Sequence, residues 1–396
     1  MSPTSPLFAL MIVLVALSFT NVLAAHTPPP DYKRFRTLDG LRGLAALGVV
    51  IHHSEVWYFF NATGQWQNPP SHFYTQCGQG GVTVFFVMTG FLFWDKIKPD
   101  RPIDWVQFYT ARILRLMPLF YTLVLLIMLF AAISSGFRTA FIPPGALVAT
   151  LTMFPRGVPD FFHGTNVFFY TVGVTWSLSN ELFFYLLLPA LFLAKSHTRS
   201  LARSAAMLIV GVLAWRFGVF MGLNWMFLRS LFIGVLCYEI CHARAFALLR
   251  PVLAGPVGTV LLGIVLLVIV RDYDSAFYSR AELLYGAVFL IVACGNTVFG
   301  LLTHRATRKL GEISYGVYLL QGFALFTVFH HAHRIPATPL HHWALAIPAV
   351  LGLIAASAAT FRWIERPCID RSRTVAASIT RLIMVFTPHR LRQSSP

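Results

Sequence analysis

The sequence predicts an all-α polytopic membrane protein: a bundle of ten transmembrane helices plus an extra N-terminal span. Three observations predict it. Hydrophobic residues make up 57% of the 396-residue chain and charged residues only 12%, which is more apolar than a soluble domain allows. Apolar runs near the ~20 residues needed to cross a bilayer recur along the chain. The basic residues, 31 Lys and Arg against 15 Asp and Glu, gather on alternate connections between those runs, as cytoplasmic loops do. A nucleic-acid partner is therefore not needed to explain the charge.

The ten runs fall at residues 38–60, 81–97, 114–134, 174–194, 205–221, 225–240, 252–270, 283–302, 313–330 and 343–364. The basic clusters are Lys33, Arg34 and Arg36; residues 96–115; Lys195, Arg199 and Arg203; Arg244 and Arg250; Arg305, Arg308 and Lys309; and residues 362–373. Placing every cluster in the cytoplasm makes the number of spans after Lys33 even. Residues 145–154 are too few to span, so 136–171 reads as a long outer loop lying in or dipping into the interface. Residues 7–23 resemble a signal peptide ending at Ala24 and Ala25 but lack its basic start. Cleavage would leave Lys33, Arg34 and Arg36 outside, so an uncleaved span with its amino end outside is expected. The expected organisation is an N-terminal hydrophobic segment (1–30), a transmembrane domain (31–372) and a basic cytoplasmic tail (373–396). Ile379, Leu382, Ile383, Val385 and Phe386 of that tail could lie on the inner leaflet. The five cysteines have no zinc-type spacing, and Cys237 and Cys241, on one helix face, read as core.

Charge inside a span is expensive and points to function. In LDGLRGLAALGVVIHH, residues 38–53, Arg42 and His53 share a helix face about 16 Å apart along the axis. Thr37 or Asp39 is expected to cap the helix start. Arg42 then lies near the cytoplasmic surface and His53 toward the outer half. Arg112 and Arg115, three apart in FYTARILRLMP, project from one side at the level of Arg42 and suit a phosphate-bearing ligand. Glu181 in TWSLSNELFFYLLLP reads as the one carboxylate well inside a span. At a depth like that of His53, it would hydrogen-bond the imidazole. Plainer readings compete at each site: a snorkelling Arg42, a histidine bonded to a neighbouring helix, topology-setting charge at Arg112 and Arg115, and a Glu181 ion pair closing two helices.

Arg42 followed after ten residues by His53, the preceding DGLRG, GVTVFFVMTGFLF, the Arg112-x-x-Arg115 pair before a proline, TWSLSNE, GEISYGVYLLQ and IERP occur in this order. Together they resemble the membrane-bound acyltransferase-3 family from about Phe35 to Pro367. That family includes O-antigen, exopolysaccharide, Nod-factor and macrolide acylases. The resemblance implies a ten-helix bundle with both ends cytoplasmic, and a transfer of an acyl group, acetyl being favoured, from cytoplasmic acyl-CoA to a carbohydrate hydroxyl, usually on the outer side. The family's paired cation and histidine fall on Arg42 and His53, its RxxR pair on Arg112 and Arg115, and its WSLS-x-E glutamate on Glu181; the mechanism expected from them makes His53 and Glu181 catalytic and has Arg42, Arg112 and Arg115 bind acyl-CoA, and no metal is expected. Three positions depart from the family pattern: Thr83 stands for an acid, Leu182 for a second acid and Met117 for a tyrosine. They bear on the acceptor and on accessory contacts.

The leading expectation is an O-acyltransferase of the bacterial inner membrane in which His53 is general base for a hydroxyl of a carbohydrate or glycosylated acceptor. GxSxG is absent, and Ser177 and Ser179 show no sign of activation, so direct transfer needs fewer assumptions than an acyl-enzyme. The SGNH esterase-like domain fused to some relatives does not occur in these residues, so an acyl-relay protein, if one is required, is expected to be separate. The competing class is a transporter of a sugar, a lipid-linked saccharide or a small solute. HHAHR (residues 330–334) with His341 and His342 reads as a solvated loop in preference to a metal site. Asn61-Ala-Thr63 matches a glycosylation sequon, and Trp57, Trp66 and Tyr74 could stack on a sugar or form an interfacial belt.

Overall fold

Apolar segments in lipid must satisfy their own backbone hydrogen bonds, which a helix does within one segment. The computed structural model describes residues 2–25, 35–97, 103–138, 144–152, 160, 166–196, 226–277, 279–332 and 338–386. Among these residues all regular structure is helical: α1 (Pro6–Ala25), α2 (Arg36–Thr63), α3 (His72–Lys96), α4 (Trp105–Ser134), α5 (Pro144–Leu151), α6 (Val167–Thr171), α7 (Thr175–Ser196), α8 (Met226–His242), α9 (Leu249–Ala254), α10 (Pro256–Asp272), α11 (Ala281–Ala293), α12 (Arg305–Glu312), α13 (Ser314–Ala332), α14 (Pro339–Thr360), α15 (Arg366–Asp370) and α16 (Ser372–Phe386).

Four described helical stretches are long and apolar enough to cross a membrane: Pro6–Ala25, His72–Lys96, Trp105–Ser134 and Pro339–Val385. A fifth arises if α12 and α13, bent by 72° at their junction, form one span. The α2 helix has the length but carries Asp39, Arg42, two histidines and Glu55. The span expected over 205–221 lies outside the described residues. The stretch expected at 252–270 is broken at Gly255 into α9 and α10. That expected at 283–302 ends at Ala293, because Gly295, Val298, Phe299 and Gly300 all take positive φ and turn the chain.

Neither expected cap at the start of α2 forms. Phe35, at φ 62°, precedes the helix without a side-chain cap. Thr37 donates to the Val292 carbonyl at 3.1 Å, and Asp39 pairs with Arg42 at 3.2 Å. The helix start is thus fixed by tertiary contacts.

α1 buries one stripe, Phe8, Ala9, Ile12, Ala16 and Thr20, against α12 and α14. Phe8 stacks on Trp343 at 5.6 Å, and the Ser5 carbonyl accepts from the Tyr74 hydroxyl at 2.8 Å. Trp57 and Tyr74 are therefore neither a sugar platform nor a belt: they are 1% and 0% exposed. Trp57 sits in an aromatic knot with Phe60, Trp66, Phe326 and Phe329. His342 is likewise inside, stacked on Phe329 and donating to the Ser54 carbonyl. His333 and Arg334 lie outside the described residues.

Close helix crossings position the site. A Cβ on Gly90 would stand 2.0 Å from the Leu231 carbonyl oxygen, and one on Gly234 2.0 Å from that of Val87. Only glycines let α3 and α8 approach so closely. In the loop between α4 and α7, α6 packs on α13, with Tyr170 4.4 Å from Phe326; residues 153–159 and 161–165 are outside the described set. Cys237 and Cys241 are buried, the latter with its Sγ 3.9 Å from that of Cys294. Beyond α15, α16 packs Ala376 inward against α4 and leaves Ile379, Leu382, Ile383 and Val385 exposed.

Candidate active site

α2, α3, α4, α7 and the α12–α13 junction surround a cavity of about 250 Å³. Its walls are apolar, with Val82, Phe85, Phe86, Met88, Leu92 and Phe93 from α3 and Leu116 and Leu178 opposite. Arg42, Lys96, Arg112 and Arg115 bring four basic side chains to it, and Glu181 is the carboxylate in its lining. Four of the five site residues expected from sequence thus share one chamber. The fifth does not: His53 is not among the residues that line it.

Each of these side chains has a local cause. Arg42 lies one turn into α2, where its Nε and Nη2 donate to the Gly311 carbonyl at 3.0 and 2.9 Å. Gly311 is near the end of α12, where carbonyls lack intrahelical donors, so Arg42 closes the helix break from outside. A Cβ on Gly43 would lie 2.6 Å from the Gly311 nitrogen, and this close approach lets the guanidinium reach. Arg42 does not snorkel; it anchors α12 and faces the cavity at once.

Arg112 and Arg115 lie in the turn of α4 before Pro118. The Arg112 guanidinium carbon is 5.3 Å from the Phe93 ring centroid, as is Lys96 Nζ, a cation–π arrangement. Arg112 Nε is buried without a hydrogen-bond partner among the described residues. Both cations also line a second cavity of about 320 Å³ beside Trp105 and Phe108. Lys96 was legible in sequence only as part of a topology-setting cluster.

Glu181 is placed by a chain of contacts that begins with a proline. Pro189 inside α7 has no N–H, which leaves the Tyr185 carbonyl without its intrahelical donor. The Tyr109 hydroxyl of α4 donates to that carbonyl at 3.0 Å. Tyr185 in turn donates its own hydroxyl to Glu181 Oε1. The hydrogen bond expected between Glu181 and His53 is not formed among the described residues. The ion pair that was its plainer alternative is not formed there either.

His53, on the same face of α2 as Arg42, is partly buried, and its Nδ1 lies 3.1 Å from Oε1 of Gln321 on α13. The next histidine is structural: His52 is 8% exposed and donates through Nδ1 to the Tyr74 carbonyl at 3.0 Å. Tyr318, one turn before Gln321, lines the cavity and donates to Ser177 Oγ at 2.9 Å. Ser177 in turn donates to the Val174 carbonyl at 2.9 Å. A single turn of α13 therefore separates the cavity wall from the partner of His53.

Glu181 is not the one carboxylate inside the bundle. Glu55 on α2 is 0% exposed with neither oxygen hydrogen-bonded among the described residues. Glu282 on α11 is 1% exposed and paired with Arg229 at 2.5 Å. Both lie in or at the edge of apolar runs, but no motif carries either one, so the sequence does not single them out.

Residues 35–361 match the model of an acyltransferase domain. The chain belongs to the acyltransferase-3 family. It is an acyltransferase embedded in the membrane by several passes, and the transporter reading gives way to that. BcsY of Komagataeibacter xylinus, named as a membrane-bound transacylase, is 29% identical over 306 residues, 72% of each chain. The acyltransferase MdmB of Streptomyces mycarofaciens is 27% identical over 390 residues, 88% of this chain and 96% of its own. YrhL of Bacillus subtilis, named as a peptidoglycan O-acetyltransferase, is 24% identical over 374 residues, covering 83% of this acyltransferase and 54% of YrhL. No solved structure matches.

Proposed function

We propose that this acyltransferase moves an acyl group, acetyl in the first instance, from acyl-CoA to a hydroxyl of a carbohydrate or glycosylated acceptor at a bacterial plasma membrane. The observation that carries this reading is the cavity that joins Arg42, Lys96, Arg112 and Arg115 to a narrow apolar chamber. Phosphates need such a cationic mouth, and a pantetheine arm needs such walls. The buried Nε of Arg112, without a hydrogen-bond partner among the described residues, is a donor suited to a phosphate oxygen. The name carried by YrhL supports acetyl as the group and a glycan as the acceptor.

In this reaction Arg42, Lys96, Arg112 and Arg115 hold the donor phosphates, and the thioester lies toward Ser177 and Tyr318. His53, reached past Tyr318, takes the proton of the acceptor hydroxyl. The oxygen attacks the thioester carbon, the C–S bond breaks, and CoA leaves as the thiol after taking a proton. Glu181, held by Tyr185, balances charge within the chamber without touching His53. Ser177 is bound to Tyr318 and Val174, with no histidine bonded to it among the described residues, which favours direct transfer over an acyl-serine. Holding both reactants in one dry slot supplies orientation. A separate extracytoplasmic relay protein is required only if the acceptor is out of reach.

The experiment is turnover of labelled acetyl-CoA in reconstituted vesicles with candidate glycans. Hydroxyl-dependent release of CoA is expected, lost in His53→Ala while acetyl-CoA binding survives. Full turnover in His53→Ala removes His53 from the reaction, and acceptor movement without CoA release would refute the transfer itself.

A further inference from the structure

Gln321 stands beside His53 where a carboxylate was expected. Its Oε1 faces Nδ1 of His53 at 3.1 Å, while its Nε2 donates to the Tyr318 carbonyl at 2.8 Å. A carbonyl can only accept, so the amide must turn its NH₂ toward Tyr318 and its oxygen toward the ring. The opposite orientation would set two acceptors against each other at a residue that is 0% exposed, where an unmade hydrogen bond is costly. Because Oε1 can only accept, Nδ1 must carry hydrogen. In a neutral imidazole the lone pair then resides on Nε2.

We propose that Gln321 is a positioning residue that holds His53 in the Nδ1–H tautomer and so presents Nε2 as its proton-accepting atom. The role rests on the reading of His53 as general base. Histidines that act through one nitrogen need the other fixed by such a partner. An amide differs from a carboxylate here in one respect: it sets the tautomer without placing a second formal charge beside the ring. The same contact joins the base to the cavity. Tyr318 supplies the carbonyl that orients Gln321 and the hydroxyl that meets Ser177 in the cavity wall, so displacing this turn of α13 disturbs both.

The test is ¹⁵N NMR of the full-length acyltransferase with labelled histidine, reconstituted in lipid, His53 being assigned by its loss in His53→Ala. The expected wild-type spectrum has a protonated Nδ1 and an unprotonated Nε2 on His53. Gln321→Met, similar in size but without the accepting oxygen, should weaken that preference, the Val49 carbonyl being the other acceptor near the ring, and lower kcat at least about tenfold, with KM for acetyl-CoA unchanged. Gln321→Glu keeps the acceptor and, with its second oxygen protonated toward the Tyr318 carbonyl, should keep the tautomer. A wild-type His53 with hydrogen on Nε2 overturns the inference whatever the turnover. So does a Gln321→Met protein that retains both tautomer and kcat. Full turnover in His53→Ala instead fails the base reading, with the tautomer measurement standing apart from it.

Discussion

Arg112 lies against Phe93 in the wall between two neighbouring cavities, its guanidinium carbon 5.3 Å from the ring centroid. This contact seats the guanidinium while its Nε has no protein partner among the described residues. A cation beside an aromatic ring whose Nε has no acceptor among the described residues is prepared for an anionic ligand. Arg112→Lys keeps the charge but loses the planar fork. The expected result is roughly a tenfold weaker affinity for acetyl-CoA in a direct binding titration, with the fold unchanged. Undiminished affinity would show that the phosphates lie elsewhere.

The Tyr109–Tyr185 contact exists because Pro189 leaves a carbonyl unpaired. Tyr109→Phe should therefore cost about 1 kcal/mol of stability. The same substitution in a Pro189→Ala background should cost much less, since the alanine N–H restores the bond within α7. Thermal melts of the four proteins check this. Equal losses in both backgrounds would break the link between the proline and the tyrosine.

Gly90 and Gly234 meet across α3 and α8 with no room for a methyl group. Gly90→Ala would force the backbones apart at a crossing that also sets the α3 wall of the cavity. A loss of about 3 kcal/mol, seen as poor yield and early melting, is expected. A Gly90→Ala protein with wild-type melting would mean that the helices can separate freely here.

Glu55 is enclosed at 0% exposure without a hydrogen-bond partner among the described residues. A buried carboxyl group in that state is a cost to the fold. Glu55→Met, similar in length and apolar, should raise the melting temperature by several degrees. A fall in melting temperature would reveal a partner that the carboxyl group needs.

The Arg229–Glu282 pair joins α8 to α11, with Glu282 enclosed and Arg229 43% exposed. Arg229→Ala removes the cation from the buried Glu282 carboxylate, which keeps the Ser230 hydroxyl at 3.3 Å, and should cost about 2 kcal/mol, reduced from a fully buried pair by solvent at the arginine. Replacing both residues by leucine should recover most of that. A double mutant no better than Arg229→Ala would argue against the desolvation account.

By itself the sequence determined the class of the protein, the positions of most of its helices and the family to which it belongs. Apolar runs have only one way to lie in lipid, and ordered motifs such as TWSLSNE and GEISYGVYLLQ survive without any knowledge of packing. It also gave the helical phase that puts Arg42 and His53 on one face of α2, because that phase depends on spacing alone. Only the tertiary structure decided what each side chain meets. Arg42 was legible as a cation but not as the group that closes the end of α12. Glu181 was legible as a buried acid, yet Tyr185 and not His53 is its partner, and Gln321 meets the imidazole from a helix 268 residues away in the chain. Partners across helices are set by crossing positions such as Gly43 against Gly311, where the absence of a side chain fixes the distance between backbones and therefore which groups can touch.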